Sequence, residues 1–210
     1  RETDKANIQH AVHAIGDRAN DWILDEFALI REEYGEKDRR CRIEHSQHLS
    51  RSAVPRFAAE NIIPSMQPYH IFDDGSWAHK RIDHDRLSRT YVFKTLIESG
   101  ANLTFGSDWT VAPLNPVTGI YAAVTRRTRD EKNPHGWYPN EKISVEDALR
   151  SYTINNAYAA FWENKTGSIT AGKYADFAVH SVNFLTATPE EILYSKVLRT
   201  VVGGEDYIFD

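Results

Sequence analysis

Apolar positions along the chain fall into short runs and helical stripes that alternate. Residues 7–15 read as a strand, with His13 set inside the apolar stretch from Val12 to Ile15. Gly16 and Asp17 make a turn, and Trp22, Ile23, Phe27 and Ile30 then recur at helical spacing until Gly35. The pattern returns with a strand at 41–45 and a helix opened by Ser50 or Ser52, with Pro55 in its first turn. A third strand is expected over 62–67. The stretch 69–85 breaks the rhythm and reads as a long irregular loop holding His70, Asp73, Asp74, Trp77, His79 and His84. A helix follows over 87–99, closed by Gly100, and a further strand over 102–107. Residues 117–128 can form a helix ending in Arg126, Arg127 and Arg129, a basic cluster that suits a solvated helix C-terminus. Residues 133–139 form a candidate lid. Ser144 is placed to cap a helix running to about residue 162. After Gly167 the character changes: 177–179 is an apolar run, and 197–202 followed by Gly203-Gly204 reads as a hairpin. Residues 1–6 are polar and read as a frayed end or the tail of a helix.

The strand ends carry the chemistry. His13, His45 and Asp108 each close a short apolar strand, one strand–helix unit and then two units apart. Polar groups at the C-terminal ends of successive strands are how an α/β barrel builds an active site. Two imidazoles and a carboxylate also suit a divalent metal. A lone histidine in an apolar strand is more often structural; three such ends at compatible spacing shift the balance. Side chains alternate along a strand, so His10 is expected to face the helices, and Glu44 and Ser46 to point away from the interior that His45 faces. Glu44 reads as a structural ion-pair partner and His48 as a surface residue. Asp17 and Arg18 cap a helix or orient a ligand. Gln67 and His70 are candidate substrate contacts. Trp77, Trp109, Trp137 and Tyr138 are candidates for an apolar pocket wall, with Trp109 the residue next to Asp108. No glycine-rich phosphate loop and no nucleophile elbow is present.

The segments VHAIGDRA, RIEHSQ, SMQP and FGSDW resemble the amidohydrolase superfamily, in particular amidohydrolase family 3, the N-substituted formamide deformylase-like metal-dependent hydrolases. The resemblance runs over nearly the whole chain. It implies an α/β fold: the C-terminal half of a TIM (β/α)8 barrel, strands 5–8 with their helices, over 1–165, and part of a small flanking β-sandwich over 166–210. It implies that His13 and His45 bind metal at the ends of strands 5 and 6. Asp108, at the end of strand 8, would bind metal and act as the base. The expected cofactor is one or two divalent ions, zinc first. The expected reaction is hydrolysis of a carbon–nitrogen bond in a small-molecule amide, formamide or cyclic amide. A heterocycle deaminase of the same superfamily, or a non-catalytic module with vestigial ligands, are the alternatives.

Composition sets limits on this. The chain has 210 residues, 41% hydrophobic and 26% charged, enough for a sizeable core. Its net charge of −5 gives no nucleic-acid footprint. No apolar run approaches the roughly 18 residues of a membrane helix, so no membrane partner is expected. The single Cys41 excludes an intramolecular disulfide, reads as a small buried apolar residue, and is compatible with a reducing cytoplasm. The chain begins at Arg1, and the family's His-x-His motif and its metal-bridging residue have no counterpart here. The expectation is therefore a piece of a longer enzyme, inactive alone, whose partner is the missing N-terminal half. A half barrel has two open sheet edges, so homo-oligomerisation is also expected.

Overall fold

The computed structural model describes residues 1–209. Four short strands, β1 (Ala11–Ala14), β2 (Arg42–His45), β3 (Ile63–Met66) and β4 (Thr104–Phe105), pair side by side in that order, all parallel. Helices fill the connections. They are α1 (Glu2–Lys5), α2 (Asp17–Tyr34), α3 (Ala53–Ala59), α4 (Tyr69–Asp74), α5 (His84–Leu87), α6 (Phe93–Glu98), α7 (Pro116–Thr125), α8 (Val145–Tyr152), α9 (Ile154–Ala159) and α10 (Pro189–Leu193). A second sheet, β5 (Phe177–His180), β6 (Val197–Val202) and β7 (Glu205–Ile208), is antiparallel. Gly203 and Gly204 turn β6 into β7 with φ of 60° and 83°, as the hairpin reading required.

One face of the parallel sheet is apolar and covered. Ala14, Ile43, Met66 and Phe105 are buried there against Leu24, Phe27, Phe57, Phe93 and Leu96 from the helices. Register puts His13, Glu44, Ser65 and Thr104 together on the opposite face. The expectation that Glu44 points away from the His13 side is therefore wrong. It failed because His45, not Glu44, leaves the strand alternation. Glu44 does form the expected ion pair, with Arg42 at 2.9 Å. The core also takes in Phe184 and Ile192, so the C-terminal segment packs on the helices.

Several local expectations change. Of the two readings of residues 1–6 the helical one holds: Glu2–Lys5 form α1, and Asp4 is buried in a pair with Arg39 at 2.8 Å and Lys37 at 3.2 Å. The Arg39 guanidinium holds the Asp4 carboxyl below the usual carboxylate range against the opposing effect of burial. The 69–85 stretch is largely helical, with Ile71 and Leu87 buried and Asp83 capping α5 through the Arg86 N–H. The helix expected over 87–99 begins only at Phe93, because Tyr91 takes a left-handed φ of 53°. The helix after Ser144 breaks at Thr153 into α8 and α9. That break frees Asn155 and Asn156 to donate to the Leu103 and Phe105 carbonyls, each at 2.8 Å. The β4 edge is thus partly occupied and not open as expected. His48 is not on the surface but half-buried, bonded to Thr90 Oγ1 at 2.8 Å.

Arg126 is the largest correction. It is fully buried, not solvated. Its Nε donates to the Trp137 carbonyl and Nη1 to the Tyr91 carbonyl, each at 2.7 Å, and Nη2 to the Thr90 carbonyl at 3.3 Å. Burial pulls its guanidinium down to about 10. Replacing Arg126 by Met should lower unfolding free energy by about 3 kcal/mol in urea titration. Three buried carbonyls then lose donors at about 1–3 kcal/mol each, offset by removal of a buried charge. A loss under about 1 kcal/mol would contradict this assignment.

His10, His45, His48 and His180 are all held below the usual histidine value, in each case chiefly by burial. The unfolded chain therefore takes up these protons first as pH falls through about 6.5. Stability is expected to be full above that pH and to decline below it. Denaturation midpoints at pH 7.5 and 5.5 check the sign, and equal midpoints would refute it.

Candidate metal centre

The site forms where β2, α4 and the segment after β4 converge. One ring nitrogen of His45, one of His70 and a carboxylate oxygen of Asp108 lie within 4.8 Å of one another. His70 Nε2 is 3.2 Å from Asp108 Oδ2. The His13 ring meets the His45 ring edge-on, with centroids 4.5 Å apart, and the His45 and His70 centroids are 6.2 Å apart. His13 is exposed on the open face of β1, beside the three-residue cluster and outside it.

The backbone explains how His45 comes to be there. Strand alternation would send its side chain to the covered face with Ala14. Instead its φ is 77°, and Ser46 follows at 45°. The chain twists out of the extended run, and the ring ends beside His13. Asp108 sits at φ 58°, two residues past Gly106. Non-glycine residues in this region each cost on the order of 1–3 kcal/mol and persist only where the surroundings hold them. Those surroundings are visible. Ser46 N–H bonds the Ala14 carbonyl at 3.1 Å, Ser46 Oγ the Ile43 carbonyl at 3.0 Å, and His48 N–H the Ile15 carbonyl at 2.9 Å. The buried Asn20 donates to the Ala14 and Gly16 carbonyls at 3.1 and 2.9 Å, fixing the turn behind His13. After Asp108, its own carbonyl accepts from Val111 and Ala112 at 2.8 and 3.1 Å.

The donor set fits a divalent ion. Two imidazoles and one carboxylate converge, and His45 Nδ1 is buried with no hydrogen-bond partner. Such orphaned polar atoms are costly unless they serve a ligand. Burial, and then the neighbouring His13, push the His45 imidazole toward its neutral form, which is the form that ligates.

The other candidates fall as follows. Gln67 is buried at the end of β3, its Nε2 on the Ser65 carbonyl at 3.1 Å. Trp109 is 66% exposed beside Asp108, and Trp77 is exposed as well. Trp137 is buried, stacked edge-on with Tyr91 and Tyr138, so it packs the fold. His10 stacks on Phe27 of α2, as expected for a helix-facing residue. Asp17 accepts from Arg18 N–H and Arg86. Cys41 is buried and its thiol is pushed up to about 11. Sequence reasoning placed His70 only as a substrate contact, because a histidine in an assumed loop has no fixed direction. Its position in the first turn of a helix just past a strand end was the available signal.

The amidohydrolase family model matches residues 1–206. The chain belongs to the amidohydrolase family. It is 42% identical over 203 residues to Protein LONG AFTER FAR-RED 3 of Arabidopsis thaliana, covering 96% of this chain and 34% of that protein. It is 28% identical over 204 residues to the N-substituted formamide deformylase of Arthrobacter pascens, covering 95% of this chain and 36% of that enzyme. The chain thus spans about a third of the length of these relatives. Among solved structures, an uncharacterized metal-dependent hydrolase from Pyrococcus horikoshii superposes with a TM-score of 0.77 at 26% identity, over 89% of this chain and 36% of that one. This family member therefore shares the α/β fold and parallel sheet of a metal-dependent hydrolase.

If ligand geometry is what keeps His45 in the left-handed region, stability does not require histidine there. The His45→Asn variant, measured without metal, is expected to unfold at a free energy equal to or up to about 1 kcal/mol above the parent, since Asn tolerates this backbone. A fall of more than about 1 kcal/mol would show that the imidazole is a packing residue.

Proposed function

We propose that this amidohydrolase-family chain belongs to a metal-dependent hydrolase that cleaves a carbon–nitrogen bond in an amide, formamide or cyclic amide. The observation that carries the reading is the convergence of His45, His70 and Asp108 at the C-terminal ends of parallel strands. Likeness to a formamide deformylase favours carbon–nitrogen substrates. A divalent ion held here, zinc first, supplies a Lewis acid and makes water acidic near neutral pH.

The chain's own groups then have distinct tasks. His45 and His70 each offer a ring nitrogen, and His13, ring to ring with His45, is assigned as a further ligand. Asp108 accepts the proton of the attacking water and returns it to the departing amine. His70, 3.2 Å from that carboxylate, orients it. Gln67 and the exposed Trp109 are assigned to substrate, Trp109 offering an apolar wall.

On this reading β1 to β4 with their helices are strands 5–8 of a TIM barrel, in a unit spanning 1–165. The sheet β5–β7 is part of a flanking β-sandwich over 166–210. The polar face carrying His13 and Glu44 is then the barrel interior, completed by an N-terminal half. Alone, the chain binds metal but lacks full activity, and the unpaired side of β1 leads it to self-associate.

Elemental mass spectrometry on the purified chain tests the centre. Near-stoichiometric zinc that is lost in His45→Ala and Asp108→Asn is expected; no metal in the parent would defeat the reading. Joined to its N-terminal half, Asp108→Asn should cut amide hydrolysis by about 10²–10⁴. Size measurement in dilute buffer should find an oligomer, and a stable monomer would remove self-association from the proposal.

A further inference from the structure

Asp74 lies outside the metal cluster, yet its carboxylate ties together the two segments that present His45 and His70. It closes α4, one turn beyond His70. Its Oδ2 accepts from Gln47 Nε2 at 3.0 Å and from the Tyr91 hydroxyl at 2.6 Å. Gln47 is two residues past His45, on the segment that carries the left-handed turn. Tyr91 N–H in turn donates to the Gln47 carbonyl at 2.9 Å. Three groups therefore form a closed ring of hydrogen bonds, with one oxygen as the shared acceptor. Tyr91 and Gln47 are both buried, so no water readily replaces that acceptor.

We infer that Asp74 is a positioning residue: through Gln47 and Tyr91 it fixes the distance between the His45 turn and the helix bearing His70. The inference rests on the metal-centre reading above. A six-residue helix has little stability of its own and depends on tertiary ties. The His45–Ser46 backbone is strained and likewise needs an external hold. Removing the shared oxygen loosens both segments, leaving the buried Tyr91 hydroxyl without an acceptor and the Gln47 amide with only the His48 ring at 3.4 Å. The role needs an oxygen at this point, not a charge. Asn, with its carbonyl oxygen in the same place, should therefore substitute where Ala cannot.

The test is zinc titration of the whole chain by calorimetry, with histidine ring resonances followed by NMR in metal-free buffer. Asp74→Ala is expected to weaken zinc binding about tenfold or more, in the range seen when groups supporting metal ligands are removed. It should also move the ring signals of His45 and His70 while leaving those of His180 in place. Asp74→Asn should restore binding to within a few-fold of the parent. Tyr91→Phe, which keeps the fold's apolar bulk, should weaken zinc and shift the same two rings if Asp74→Ala fails to fold. Asp4→Asn, far from the site, controls for loss of stability. Parent-like zinc affinity with unmoved rings in Asp74→Ala would overturn the assignment, as would an equal loss of affinity in Asp4→Asn. A parent that binds no zinc defeats the metal reading. The ring signals then decide alone, and unmoved rings defeat the positioning role too.

Discussion

A buried guanidinium bound to three main-chain carbonyls holds the site side of this molecule together. Arg126 ends α7 in a left-handed turn, φ 53°, and reaches the carbonyls of Thr90, Tyr91 and Trp137. No carboxylate of the described residues forms an ion pair with it; carbonyl dipoles and the faces of Phe93 and Trp137, each within 6 Å, compensate its charge. Burying such a group unbonded would be prohibitive, so the three segments must stay in register. The same Tyr91 whose carbonyl meets Arg126 sends its hydroxyl to Asp74. One continuous polar network thus runs from the C-terminus of α7 to the helix that carries His70.

Close packing reinforces that network. A Cβ on Gly75 would lie 2.4 Å from Thr128 Cγ2 and 2.8 Å from the Ile71 carbonyl, so α4 must end in glycine to approach the chain beyond Arg126. Arg129 N–H also bonds the Phe72 carbonyl at 2.6 Å. Rigidity here matters, because part of the candidate site is not relaxed. His45, Ser46 and Asp108 all sit at positive φ. At His45 and Asp108 the surrounding hydrogen bonds hold that backbone in place. Donor groups held in advance would meet an ion with little reorganisation, at a cost in intrinsic stability.

Local rules read the regular parts of the chain well. Alternating strand and helix periods located β1 to β4 and α2, Ser144 capped α8, and two glycines turned the last hairpin. The residues closing the strands marked out His13, His45 and Asp108, and the motifs around them resemble those of the family to which the chain belongs. Where local rules failed, a distant partner had intervened. The helix before Phe93 is cut short at Tyr91, and Thr153 breaks its helix so that two asparagines meet β4.

The sequence by itself determined the strands β1 to β4, the helix α2, two of the three converging residues, His45 and Asp108, and the family. Those follow from periodicity, capping and motif, which are properties of neighbouring residues. Only the tertiary structure decided that Arg126 is buried, that Glu44 shares a face with His13, that His70 joins Asp108, and that Asp74 links Gln47 to Tyr91. Each depends on a left-handed backbone or a contact between residues far apart in the chain. No local pattern encodes these, because the cost of a positive φ or a buried charge is met by groups that only folding brings near.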